Sequence, residues 1–328
     1  MTRFRRLFSS GGLARLRSEG ATAPIVAFAT FFALYIAINP EILTRFQLQT
    51  ASNLVVPLAF AALAQMIVVI VGGIDISIGA IMSLSNVSFA LLMVNLSPAI
   101  AIPVTLGIGA AAGLFNGFLV AYFRLPAIAV TLASFFIIGA LTRELMDRPG
   151  GGISYDFFLA TSGELIPFVP VSVFWLALFS VALYFLLQRT RFGRHVYAVG
   201  SNADGLEAAG VNSKRTILLA FMLSGVTVSI GAIMLAGSTL TGDPRSGDAY
   251  LLNSIAAVAL AGVAFAGGRG SILGAILAAF TLGLIGNFLY FAGINSSWQY
   301  IIAALILLSV VAIPALVSRI QAERRKTK

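Results

Sequence analysis

The sequence predicts an all-α, polytopic membrane protein with about ten transmembrane helices. Three observations predict it. Hydrophobic residues make up 59% of the 328 and charged residues only 10%, where a soluble domain carries about 25% charged residues. Charge-free stretches recur at lengths suited to the ~20 residues that a helix needs to cross a ~30 Å hydrocarbon core. The period-two alternation of a membrane barrel is missing, and backbone groups in lipid must pair within the segment, so each stretch reads as a helix.

In chain order, the uncharged stretches Ala21–Asn39 and Phe46–Ile74 give one span each. Ile76–Phe123 holds two, broken at "NLSP" (95–98). Leu125–Thr142, Leu165–Gln188, Thr216–Gly242 and Ala249–Gly268 give one each. Gly270–Ser318 holds two, broken at "GINSS" (293–297). The chain therefore divides into a basic N-terminal tail (1–20), one membrane domain (21–318) and a basic C-terminal tail (319–328), with no soluble catalytic module. The first span lacks a small-residue cleavage site and reads as a retained anchor.

Charge sets the orientation. With the N-terminus in the cytoplasm and ten alternating spans, only Arg45, Arg143, Arg148 and Arg245 of the 21 basic residues fall outside. That is a strong positive-inside bias, with both termini cytoplasmic. It also accounts for the net charge of +9 without nucleic acid, because the basic ends lie against an anionic leaflet. Cysteine is absent, which excludes disulfides, thiol catalysis and cysteine metal sites.

Two connecting segments stand out. The external loop, 146–167, contains Gly150, Gly151 and Gly152 and is expected to be irregular and mobile. The cytoplasmic loop, 189–215, is too patterned for a tight turn. Ser201 and Asp204 resemble a capping box, Ala203–Ala209 suits two helical turns, and Gly210 suits a left-handed stop. A short helix held between two spans is a natural receiver of force from a partner protein.

An internal echo links "GGIDISIGAIM" (72–82) to "GGRGSILGAIL" (267–277). Gly72, Gly73 and Gly79 match Gly267, Gly268 and Gly274, and such small residues permit helix breaks and close approach. Asp75 is the one carboxylate within a span region. It needs a wet cavity, a partner or a boundary position. It touches substrate or lines a route, caps the helix that restarts at Ile76, or marks the membrane edge. The in-span amides Gln65, Asn86, Asn116, Asn253 and Asn287 either bond helix to helix or line a path for a neutral, hydroxyl-rich solute.

Catalytic constellations are missing. His195 is the single histidine and lies in the basic inner loop, so a histidine metal cluster and a Ser-His-Asp triad have no support. "GLEAAG" (205–210) has phosphate-loop glycine spacing, but Val211 and Asn212 follow where Lys and Ser/Thr are required. No metal or catalytic residue is expected in this chain, and any ATP-driven motion requires an ATPase on another chain.

At these motifs the sequence resembles the permease subunits of bacterial ribose-type sugar ABC importers. The resemblance runs from about Asn53 to Ile313. "GGIDISIGA", "TRFGRHVYAVGSNADGLEAAGVNSKR", "GGRGSILGAI" and "NSSWQYIIAALILL" carry it. It implies a permease fold related to the vitamin B12 importers, sited in the bacterial inner membrane. It also implies a second permease subunit, two ABC ATPase subunits carrying ATP and magnesium, and a periplasmic sugar-binding protein. Gly205, Leu206, Glu207, Ala208, Ala209 and Gly210 would couple the chain to the ATPase. Two departures are visible: Ile76-Ser77-Ile78 replaces Leu-Ser-Val, and "AGVAFAGG" precedes Arg269 in place of a Gly-Gly-Thr-Ser-Leu-like sequence. The expected activity is import of a monosaccharide or polyol by alternating access, with bends at Gly72–Gly73 and Gly267–Gly268. The competing reading is a proton- or sodium-coupled transporter in which Asp75 titrates.

Overall fold

The computed structural model describes residues 22–295 together with 298, 301 and 305. Both basic tails and most of the tenth expected span, 298–318, lie outside these residues. The described chain is helical apart from one short hairpin. In order it runs α1 (Thr22–Ile38), α2 (Arg45–Ile70), α3 (Ile78–Leu92), α4 (Pro98–Tyr122), α5 (Ala127–Leu145) and α6 (Tyr155–Ser162). The strands β1 (Glu164–Ile166) and β2 (Val169–Pro170) pair antiparallel. Then come α7 (Val171–Arg189), α8 (Arg191–Ala208), α9 (Ser213–Thr239), α10 (Asp248–Leu260) and α11 (Ile272–Phe291).

Among the described residues, six helices are long and apolar enough to cross a membrane: α2, α4, α5, α7, α9 and α11. Helices α1, α3 and α10 are apolar but have 17, 15 and 13 residues. The sequence reads each of these three as a full span. For α3 and α10 the difference lies in non-helical residues inside the expected spans: 76–77 and 93–94 flank α3, and 261–268 follow α10.

Helix α2 is the hub, and every residue from Val55 to Ile70 is buried. Helices α9, α11, α10 and α7 pack around it. The tightest partners are α4 and α9. Gly109, Gly113 and Gly117 of α4 recur every fourth residue, and a Cβ on any of them would press on α9 at Ser229, Phe221 or Leu218. Between membrane helices, dispersion replaces the hydrophobic drive, so a seam of small residues lets backbones approach closely enough to gain it.

The segment 146–167, expected to be irregular, makes defined contacts. Gly150 and Gly242 exchange two backbone hydrogen bonds, of 2.9 and 2.7 Å. Gly152 N donates to Ala90 O at 3.2 Å, and Gly151 packs on Ala90. The glycines serve close contact here rather than freedom. The segment continues into α6, capped by Ser154 Oγ on Phe157 N, and then into the hairpin. Arg45 pairs with Glu164 there, and that guanidinium, with the Phe168 N–H, holds the Glu164 carboxyl below its ordinary range.

Candidate functional site: a braced re-entrant loop and a helix seat

Helix α2 ends at Ile70, and Gly72, with φ +87°, turns the chain back into the bundle. Residues 73–77 then run inward beside α2, α4 and α5. Asn116 lies six residues before the end of α4 at Tyr122, which puts this level about 9 Å inside that end. A segment at this depth cannot pair its backbone with water, so buried side chains take over that role.

The bonds form one connected network. Asp75 Oδ1 accepts from Ser77 N (2.8 Å) and Ser77 Oγ (2.5 Å). Asn116 Nδ2 donates to Ser77 Oγ at 2.8 Å, and Ser134 Oγ donates to Asn116 Oδ1. Ile76 N donates to Thr131 Oγ1 at 3.0 Å. With its amide nitrogen turned toward the Asp75 carbonyl, Gln65 donates to that oxygen (2.9 Å) and accepts from Asp75 N (3.2 Å). Asp75, Ser77, Gln65, Asn116, Thr131 and Ser134 are each at most 2% exposed. Asp75 thus caps the turn that leads into α3, where a carboxylate meets the positive end of the helix.

Three of the five in-span amides are paired within the protein. Gln65 and Asn116 belong to the brace. Asn86 is the third and bonds to backbone: Oδ1 accepts from Asp243 N at 2.7 Å, and Nδ2 donates to Ala232 O at 3.3 Å. Asn253 and Asn287 are half-buried and make no hydrogen bond among the described residues.

The segment 189–215 is mostly helix. Helix α8 is kinked at Asn202, whose φ/ψ of −165°/93° is not helical, and so consists of two parts. This corrects the expected cap. Ser201 ends the first part, and its Oγ donates to Tyr197 O at 3.0 Å. Asn202 Oδ1 instead accepts from Gly205 N at 2.8 Å and caps the second part, 203–208. Gly210, with φ +81°, closes that part, and Val211 N returns to Leu206 O at 3.2 Å. Leu206 packs against the core, while Glu207 accepts a hydrogen bond from Ser213 Oγ at the start of α9.

Directly beneath the kink sits the second glycine pair. Gly268 N donates to Ile70 O at 2.8 Å. Gly200 fits against Ile70 O and Gly268 N with no room for a Cβ, and Gly267 and Gly268 press on Gly200 and Ser201. Tyr197 Oη donates to Gly270 O at 3.3 Å. The end of α2, the loop 261–271 and α8 therefore meet backbone to backbone. Gly200 and Tyr197 are absent from the residues that the sequence singles out; their signal is "AVGSN", a glycine inside a helical run with no turn to explain it. Gly79 lies against Gly247, and Gly274 lies near Ala261.

Span-length apolar helices packed around a buried polar brace define an integral membrane protein. The model for permease components of branched-chain amino acid transport systems matches residues 48–311, and the chain belongs to that family. Its relatives include a probable ABC transporter permease of Sinorhizobium fredii, 34% identical over 78% of each chain. They also include the fructose import permease of Rhizobium meliloti, 30% identical over 94% of this chain and 88% of the relative. The ribose import permease of Escherichia coli K12 is 27% identical over 94% of this chain and 96% of its own. No solved structure matches the chain.

Proposed function

We propose that this chain is the permease of an ABC importer for a monosaccharide or similar polyol, crossing the bacterial inner membrane ten times with both termini in the cytoplasm and a fold of the vitamin B12 importer type. Two permeases would enclose the route, a periplasmic sugar-binding protein would deliver the solute, and ATPase subunits holding ATP and magnesium would dock against residues 205–210. The observation that carries the reading is the seat of α8. A separately capped helix, 203–208, rests through Gly200 on the end of α2 and on Gly268, so a push on it reaches two core elements at once. The ribose and fructose permeases among its relatives support the sugar.

One moving part is added to the expected bends. Gly267–Gly268 is held by Ile70 and α8, and Gly72–Gly73 leads into the braced loop. Asn202 is the non-helical break between seat and docking helix, and this makes it the hinge of the proposal.

The test is copurification of the chain from its native membrane, followed by vesicle uptake of D-ribose and D-fructose. ATP-dependent uptake with an associated ATPase supports the proposal. Uptake by the isolated chain under a proton gradient ends it and favours titration at Asp75. Within the complex, Glu207→Lys removes the acceptor for Ser213 and cancels the net negative charge of the docking helix. We expect it to insert normally, keep ATP hydrolysis and lose uptake; unchanged uptake removes residues 205–210 from the coupling role.

A further inference from the structure

Two short helices begin inside the bundle from opposite sides. Helix α3 starts after the braced loop. Helix α10 starts after residues 240–247, which reach inward along α3: Asp243 N bonds Asn86, and Gly247 N donates to Ser83 Oγ at 2.9 Å. Their first turns meet where Gly247 touches Gly79. Beside that meeting point lies a cavity of about 120 Å³. Ala80 and Ser83 of α3, Phe135, Gly139 and Arg143 of α5, and Asp248 of α10 line it.

Its chemistry is specific. Arg143 and Asp248 both border the space, and neither makes an ion pair with the other or with any other described residue. The Arg143 guanidinium folds back along α5 over Gly139, whose missing side chain leaves it room. Ser83 is 2% exposed; it accepts from Gly247 N and donates to no protein atom among the described residues, so its proton is left for an occupant. Phe135 and Phe136 add ring surface, 5.4 Å apart and steeply inclined. Phe136, which also borders the cavity, is 63% exposed.

We infer that this cavity is a subsite for one hydroxyl-bearing end of a neutral sugar or polyol on its way through the permease. The inference rests on the transport reading above and adds a place to it. Opposed donors and acceptors with a ring face beside them match a sugar, which offers hydroxyls that both donate and accept and a C–H face that lies on an aromatic ring. A purely anionic or cationic solute would leave Asp248 or Arg143 facing a like charge. The volume equals about four waters, enough for part of a monosaccharide, with the remainder facing Phe136. A larger cavity, about 480 Å³, lies between α4, α6, α7 and α9, but Ile102, Leu106, Phe157, Ile233 and Met234 give it an apolar wall. That lining suits an acyl chain and offers a polyol little.

The natural absence of cysteine makes the test clean. Ala80→Cys places a single thiol in the cavity, and Phe135→Cys serves if the first variant folds poorly. The complex in native membranes is labelled with a small charged methanethiosulfonate, alone and with D-ribose, D-fructose, myo-inositol or glycine betaine. We expect at least one of the three polyols to slow labelling, and betaine not to. Adding Arg143→Gln or Asp248→Asn should raise the polyol concentration needed for equal protection about 10- to 100-fold, the usual effect of losing a charge-assisted hydrogen bond. Labelling of neither cysteine, protection by no polyol, protection by betaine, or protection unchanged in both charge variants overturns the subsite. Copurification of the ATPase is scored on the same samples. An ATPase present with no protection removes the subsite alone, whereas its absence removes the importer reading.

Discussion

The two glycine-led loops share a sequence pattern and are built in different ways. Residues 72–77 re-enter the bundle and are held by side chains from α2, α4 and α5. Residues 261–271 are held mainly by backbone, with Gly268 on Ile70 and Gly200 packed against both, and by one side chain, Tyr197 Oη on Gly270 O. Even the matched glycines are not equivalent. Gly72 closes α2, with Gly73 N on Val68 O at 3.0 Å. The residue with that role at the end of α10 is Gly262, φ +69°, with Val263 N on Val258 O at 3.2 Å. Gly267 and Gly268 come five residues later and face α8. A loop pinned by side chains keeps its shape while its neighbours move. A loop pinned by the backbone of two neighbours moves when they do, which is what a relay needs.

The largest expected effect breaks the contact at Gly200. Gly200→Ala puts a Cβ onto the Ile70 carbonyl and Gly268 N, and neither backbone atom can rotate away. The cost is about 3 kcal/mol, the upper end for overpacking, and uptake should vanish. The measurement is thermal unfolding of the detergent-solubilised chain beside vesicle uptake. A variant with wild-type melting and transport would show that α8 does not rest on this seat.

Next comes the buried loop. Asp75→Ala strips the acceptor from Ser77 N and Ser77 Oγ and should cost about 2 to 3 kcal/mol. Asp75→Asn keeps an oxygen in place and should cost about 1 kcal/mol or less while retaining uptake. This pair sharpens the comparison, because a bracing role ranks the variants by lost acceptor and a titrating role abolishes transport in both. Complete loss of uptake in a stable Asp75→Asn protein would move this loop from scaffold to mechanism.

The difference between the loops also explains what was legible in the sequence. The helical, membrane-spanning class read well because lipid forces both apolar composition and internal backbone pairing on the same residues, although only six of the described helices are long enough to cross. Gly210 read well because a left-handed stop is a local requirement. The brace was half legible: Asp75 stood out by cost, and Gln65 and Asn116 by polarity. Their convergence on one loop is a long-range fact, with 39 residues between Ser77 and Asn116. The short lengths of α3 and α10 were hidden because the non-helical residues beside them, 76–77 and 93–94 at α3 and 261–268 after α10, are as free of charge as helix until Arg269. The contacts of 146–167 were hidden because its glycines meet Ala90 and Gly242, far away in sequence.

The smallest expected effect lies at the kink, where local sequence offered two caps one residue apart. Ser201 has the acidic residue three positions on, which favours it on pattern, yet its hydroxyl is turned back to Tyr197 O and continues the first helix. Asn202 carries the break and caps 203–208 through Gly205 N. Asn202→Ala should therefore loosen that one segment by about 1 kcal/mol, seen as faster amide hydrogen exchange in 203–208 with α9 unchanged. Ser201→Ala, which removes only a back-bond within α8, should leave exchange there as it was. If both variants speed exchange equally from α8 into α9, then residues 203–208 are no separate unit, and α8 would have to move as a single piece with the core.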